Sequence, residues 1–129
     1  MRTEPGSIEL LADLTRAGFE VIVPITLSDL DLDWAEWTFT RQARMPLGVD
    51  AISTAALVLV PAFAVDPAGR RLGRGGGSYD RALGRVPEGV PVVAMLFEDE
   101  LVSAVPVDEW DKPVHAVVTP SGWQVLNWT

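Results

Sequence analysis

The 129-residue chain carries 10 basic and 18 acidic residues, 1 histidine and no cysteine, for a formal net charge of -8. This composition excludes disulfides, thiolate catalysis, cysteine-ligated zinc and histidine-rich metal sites, and it argues against nucleic-acid binding, which needs a broad basic face. Prolines and charges break every apolar run well short of the ~20 residues of a membrane span.

A hydrophobic content of 48% suits a single packed domain over residues 1–129. Residues 1–7 lack the apolar core of a signal peptide. The expectation is a cytoplasmic monomer acting on a small molecule, with no membrane partner.

Residues 7–17 read as a helix. Ser7 suits its cap, Glu9 its first turn, and Ile8, Leu11 and Leu14 share a face beside Leu10. Gly18 fits the position just past a helix end. Residues 19–23 then read as a strand closed by Pro24, which has no N–H for a ladder. From Thr26 to Val49 the pattern weakens: Leu27, Leu30 and Leu32 alternate with aspartates, as in a hairpin or a long surface excursion. Trp34 and Trp37 read as core residues, and Arg41 and Arg44 as a solvated face.

Residues 50–55 suit a short helix or turn. The continuous apolar run 56–60 reads as a strand covered on both faces, as in a parallel sheet. Residues 61–65 continue extended to the turn signal Asp66-Pro67-Ala68-Gly69. After a glycine-rich stretch, a helix of about two turns runs from Ser78 to Leu83. Residues 91–97 form the next buried strand, 98–103 a helical turn or two, 105–107 an extended connection, and 116–118 a last core strand. The tail 121–129, with Trp123 and Trp128, suits an edge strand. The alternation of strands and helices predicts an α/β fold, a three-layer sandwich with a mostly parallel central sheet.

Residues 70–85 invert the local charge, holding 5 of the 11 glycines and 5 of the 10 basic residues of an acidic chain. Lying between a buried strand and a helix, such a loop lets backbone N–H groups converge on an anion, because glycine accepts positive φ and has no Cβ to obstruct a ligand. The helix start adds partial positive charge, and phosphates suit such places. A solvated surface turn fits the same residues. There is no Gly-Lys-Ser/Thr ending of a P-loop, and Ser78 stands where a dinucleotide fingerprint has its last glycine. Asp80, beside the loop, is the carboxylate best placed to hold Mg²⁺, with water and phosphate completing the shell. Its alternative role is a partner for Arg81 or Arg85.

The string Leu59-Val60-Pro61-Ala62-Phe63-Ala64-Val65-Asp66, followed by Gly69-Arg70-Arg71-Leu72-Gly73-Arg74-Gly75-Gly76-Gly77-Ser78-Tyr79-Asp80-Arg81, closely resembles the signature of the 5-formyltetrahydrofolate cyclo-ligases, also called methenyltetrahydrofolate synthetases. The likeness extends to Ala104-Val105-Pro106-Val107, Asp111 and Ala116-Val117-Val118-Thr119, and back to Thr3-Glu4-Pro5 and Leu30-Asp31-Leu32-Asp33-Trp34. It implies ATP- and Mg²⁺-dependent closure of 5-formyltetrahydrofolate to 5,10-methenyltetrahydrofolate, releasing ADP and phosphate. Arg71, Leu72, Gly73, Arg74, Gly75, Gly76, Gly77, Ser78 and Tyr79 would then line the triphosphate, with Arg74 neutralising charge on the transferred phosphoryl group. Asp80 would hold Mg²⁺, while Glu4 and Ser78 would face the folate.

The sequence departs from the family pattern in four places, one of them the usual Arg-Glu-Pro region before Gly48-Val49-Asp50, which is shortened to Arg41-Gln-Ala-Arg-Met-Pro46. Ser78 replaces the first of two tyrosines before the motif aspartate, and His115 stands where a second metal-linked aspartate is usual. The family's preceding segment, a first strand and a helix whose Lys and Arg contact ATP, has no counterpart before Glu4, so the domain is expected to be N-terminally short. Two other readings follow: a nucleotide- or folate-binding remnant without turnover, and a phosphate-handling enzyme of similar shape such as a sugar-phosphate isomerase.

Overall fold

The computed structural model describes residues 8–39, 45–72, 77–105 and 113–126. Helix α1 (Ile8–Arg16) has Glu9 in its first turn and Arg16 in its last, each complementing the helix dipole. Gly18 adopts φ +97°, and the Gly18 and Phe19 amides donate to the carbonyls of Thr15 and Leu14. The helix therefore ends where the glycine predicts.

Strand β1 (Ile22–Thr26) pairs antiparallel with β2 (Leu32–Glu36). Pro24 was expected to close the strand and instead lies in its middle, opposite Trp34. The reason is register. The amides of Leu27 and Trp37 donate to Asp31 and Val21 at the two ends of the hairpin, and antiparallel pairs alternate between bonded and unbonded. Counting inward from either end puts Pro24 at an unbonded pair, where no N–H is required. Its turn contains Leu30 at φ 69°, a left-handed conformation that disfavours a side chain with a Cβ. Trp34 and Trp37 are buried, as expected.

A 3-10 helix (Val49–Thr54) leads into β3 (Val58–Pro61). The chain then folds through a small antiparallel hairpin of β4 (Ala64–Val65) and β5 (Arg71–Leu72). Helix α2 (Ser78–Leu83), β6 (Val92–Met95), a 3-10 turn (Glu98–Glu100), β7 (Ala116–Thr119) and β8 (Gly122–Val125) follow. The larger sheet runs β3-β6-β7-β8. Its first two pairings are parallel and the last is antiparallel. The α/β class and the edge strand in the tail hold. The central sheet is mixed, with two parallel pairings and one antiparallel, and β1–β2 and β4–β5 form separate two-stranded antiparallel sheets.

The core joins Val60, Ala94 and Val117 of this sheet to Leu32 and Trp34 of β2, and to Ala82 and Leu83 of α2. Each large aliphatic buried there contributes about 1.5–3 kcal/mol. This packing fixes α2 between the β1–β2 hairpin and the sheet.

Candidate active site

The turn before β5 is built by Asp66, whose side chain is 3% exposed. Its Oδ1 accepts the amides of Ala68 and Arg70, both at 3.0 Å, and its Oδ2 accepts the Val105 amide at 3.1 Å. One carboxylate therefore shapes the turn and ties it to the segment after the 3-10 turn. Gly69 closes the turn at φ +85°, with its carbonyl accepting the Val114 amide at 2.7 Å. A Cβ on Gly69 would lie 2.1 Å from the Val114 carbonyl oxygen, so only glycine fits.

This turn delivers Arg71 to its place opposite Val65. The Arg71 side chain is 4% exposed. Its Nη2 donates to Asp80 Oδ1 at 3.1 Å, and its guanidinium carbon lies 5.7 Å from the centre of the Tyr79 ring. Its Nε has no hydrogen-bond partner among the described residues. A buried guanidinium with an unused donor is costly unless an acceptor completes it, and a phosphate oxygen is a fitting one. Asp80 is 35% exposed. The sequence suggested its neighbours Arg81 or Arg85 as partners; the fold brings it Arg71 instead.

Among the other residues named from sequence, Leu72 is largely exposed on β5. Gly77 caps α2 at φ 69°. The Ser78 hydroxyl donates to the Leu30 carbonyl, so its proton is directed at the hairpin. Tyr79 lies beneath Arg71. Glu4, Gly73, Arg74, Gly75 and Gly76 lie outside the described residues, as does Asp111. Helix α2 has only six residues, so its dipole is slight and the charge facing an anion comes chiefly from arginine.

Among the described residues no three His, Asp or Glu side chains gather to hold a metal. Asp80, with its side chain 35% exposed, offers carboxylate oxygens of the kind Mg²⁺ takes, with water and phosphate oxygens completing the shell. His115 accepts the Val92 amide at Nδ1, 3.0 Å away. Its backbone amide donates to the Val92 carbonyl at 2.8 Å. The imidazole thus accepts a backbone amide at the start of β6.

Two features escaped the sequence reading. Arg85 forms a two-pronged ion pair with Asp31, Nη1 to Oδ1 and Nη2 to Oδ2, both at 2.7 Å. The hydrogen bonds from Arg85 and from the Leu32 amide hold the Asp31 carboxyl down at about 2, and the same pairing raises the Arg85 guanidinium. No local signal announces a partner 54 residues away. The second feature is a cavity of about 480 Å³ between α1 and the end of β2, lined by Glu9, Ala12, Asp13, Arg16, Trp37 and Phe39. Its one cation, Arg16, already stands over the Phe39 ring at 5.2 Å. None of the described residues of the glycine-rich stretch lines it.

Comparison with known proteins bears on the family and the fold. The model of the 5-formyltetrahydrofolate cyclo-ligase family matches residues 1–120. The 5-formyltetrahydrofolate cyclo-ligase of Mycolicibacterium smegmatis is 36% identical over 133 residues, covering 92% of this chain and 69% of that protein. The Escherichia coli protein of the same name is 41% identical over 78 residues, 60% of this chain and 42% of that protein. The chain thus spans about two thirds or less of these relatives. Among solved structures, the 5,10-methenyltetrahydrofolate synthetase of Aquifex aeolicus superposes with a TM-score of 0.74 at 24% identity, covering all of this chain and 69% of that one. The Mycoplasma pneumoniae synthetase gives 0.68 at 18% identity, over 86% and 62%. The likeness to these two structures establishes a shared fold. Matched by the family model along nearly its whole length, the chain belongs to the 5-formyltetrahydrofolate cyclo-ligase family.

Proposed function

We propose that the chain cyclises 5-formyltetrahydrofolate to 5,10-methenyltetrahydrofolate with ATP and Mg²⁺, releasing ADP and phosphate. Within a family match over residues 1–120, the observation that carries this reading is Arg71: a buried guanidinium whose Nε has no partner among the described residues, paired to Asp80 beside the glycine-rich loop.

In this reading the formyl oxygen attacks the γ-phosphorus and ADP departs. The oxygen, formerly a poor leaving group, then leaves as phosphate when N10 attacks the same carbon and gives up its proton. There is no demanding covalent step for the protein, whose work is alignment and charge stabilisation. Arg71 supplies a fixed positive charge and a free donor for a phosphate oxygen. Arg74, carried over from the family motif, neutralises the transferring phosphoryl group. Asp80 would hold Mg²⁺ through its carboxylate, one oxygen of which Arg71 fixes. Bound there, Mg²⁺ would neutralise phosphate charge. Glu4 and Ser78 face the folate in the family pattern, with Ser78 acting through a lone pair while its proton stays on Leu30.

The route predicts where the oxygen goes. With ¹⁸O in the formyl group, each turnover places one ¹⁸O in the released phosphate; phosphate free of label contradicts phosphorylation of the formyl oxygen. A second reading, nucleotide binding without turnover, draws on His115, whose Nδ1 is engaged by Val92 where the family has an aspartate. ATP-analogue binding without any methenyl product distinguishes it.

A further inference from the structure

Helix α2 carries Asp80 on one side, while Ser78, Arg81 and Arg85 reach toward the β1–β2 turn. All three close on the turn over three consecutive residues. The Ser78 hydroxyl donates to the Leu30 carbonyl, Arg81 Nη1 donates to the Asp29 carbonyl at 2.8 Å, and Arg85 takes both oxygens of Asp31 at 2.7 Å. Arg85 Nε also lies 3.7 Å from Asp50 Oδ1 of the neighbouring 3-10 helix. The Asp31 and Arg85 side chains are only 14% and 27% exposed, which separates this pair from ordinary surface pairs of little worth. Leu30 presents its carbonyl to Ser78 from a left-handed conformation, a strain that persists where surrounding contacts over-determine it.

We infer that Asp31 and Arg85 are positioning residues, the main bolt of a clamp that holds α2, and with it Asp80 and the end of the glycine-rich loop, in register with the sheet. The inference rests on the proposed function for its purpose, since a six-residue helix has too few internal bonds to hold its own orientation. It also assigns Ser78 and Arg81 to the clamp rather than to the nucleotide. The hairpin grips α2 from one side and Arg71 grips Asp80 from the other. The carboxylate is therefore fixed between two arginine contacts, from Arg71 directly and from Arg85 through the helix.

The test compares the wild-type protein with Asp31→Asn, Arg85→Met and Arg85→Lys by hydrogen exchange. The Arg81 and Gly84 amides, which bond to the carbonyls of Gly77 and Asp80, are expected to exchange at least ten times faster in Asp31→Asn and Arg85→Met. The Val93 and Ala94 amides of the sheet should stay within twofold. Arg85→Lys, which keeps the charge and loses the fork, should recover part of the protection. In parallel, a fluorescent ATP analogue with Mg²⁺ should bind about tenfold more weakly to the first two variants. Unchanged α2 exchange, or equal acceleration in α2 and the sheet, would overturn the clamp. A wild-type protein that binds no nucleotide would overturn the proposed function, and the exchange comparison would still decide the clamp.

Discussion

Replacing Asp66 by alanine removes a buried carboxylate that accepts three backbone amides, and the structure indicates which loss dominates. Ala68 and Arg70 lie on an exposed turn, so water replaces the lost acceptor and each contributes about 0.5–1 kcal/mol. Val105 is 4% exposed, and stranding its amide costs about 1–3 kcal/mol. The sum is about 3 kcal/mol, or roughly 10 °C in Tm for a domain of this size. Asp66→Asn should cost about 2 kcal/mol, because its single carbonyl serves one side while its NH₂ faces a donor on the other. Urea unfolding followed by the fluorescence of buried Trp34 and Trp37 measures both. A loss below about 1 kcal/mol for Asp66→Ala would refute the claim that this carboxylate holds the turn that places Arg71.

Gly69→Ala should be at least as damaging, about 3 kcal/mol or more, since it combines a φ of +85° with a Cβ 2.1 Å from the Val114 carbonyl; a Tm within a few degrees of wild type would contradict that close approach. For Asp31 the pH dependence has a definite sign. Its carboxyl is lowered from 3.8 to about 2 in the folded state, so the stability it contributes is complete above about pH 4 and is lost as pH falls through about 2; Asp31→Asn should lose that part of the acid dependence, and superimposable acid-unfolding profiles would contradict it. Arg71→Met keeps the stem and removes the charge, and should weaken ATP-analogue binding by tenfold or more; unchanged binding would release Arg71 from the site. Asp80→Asn should raise the Mg²⁺ concentration needed for half-maximal activity or abolish turnover, and an unaltered metal dependence would remove it as the ligand. Arg74→Ala should reduce turnover far more than Tm; equal activity would remove Arg74 from the mechanism.

Local chemistry made the helices legible. Gly18 ended α1 as expected, and α2 begins and ends at Ser78 and Leu83 as read. The β7 strand and the edge strand β8 were also visible, in the run ending at Thr119 and in the tail beyond it. Pro24 misled because its missing N–H matters only at a bonded pair, and register is a property of two strands rather than one. The arginines misled for a similar reason. By composition Arg71, Arg81 and Arg85 were alike, one basic cluster beside glycines. Folding separates them, sending Arg71 inward to Asp80 and the other two to a hairpin turn some 50 residues earlier in the chain. Only the family motif set Arg71 apart from Arg81 and Arg85 in advance, by placing it among the residues that line the triphosphate, and nothing in the local sequence pointed to Asp31.

The most direct test of the central claim mixes this 129-residue chain with 5-formyltetrahydrofolate, ATP and Mg²⁺ and follows the absorbance of the methenyl product against an ATP-free control. The account predicts a rise that requires ATP and, at subsaturating ATP and Mg²⁺, is strongly reduced or lost in both Arg71→Met and Asp80→Asn. Folded protein that gives no rise, or a rise that persists in both variants, would contradict it.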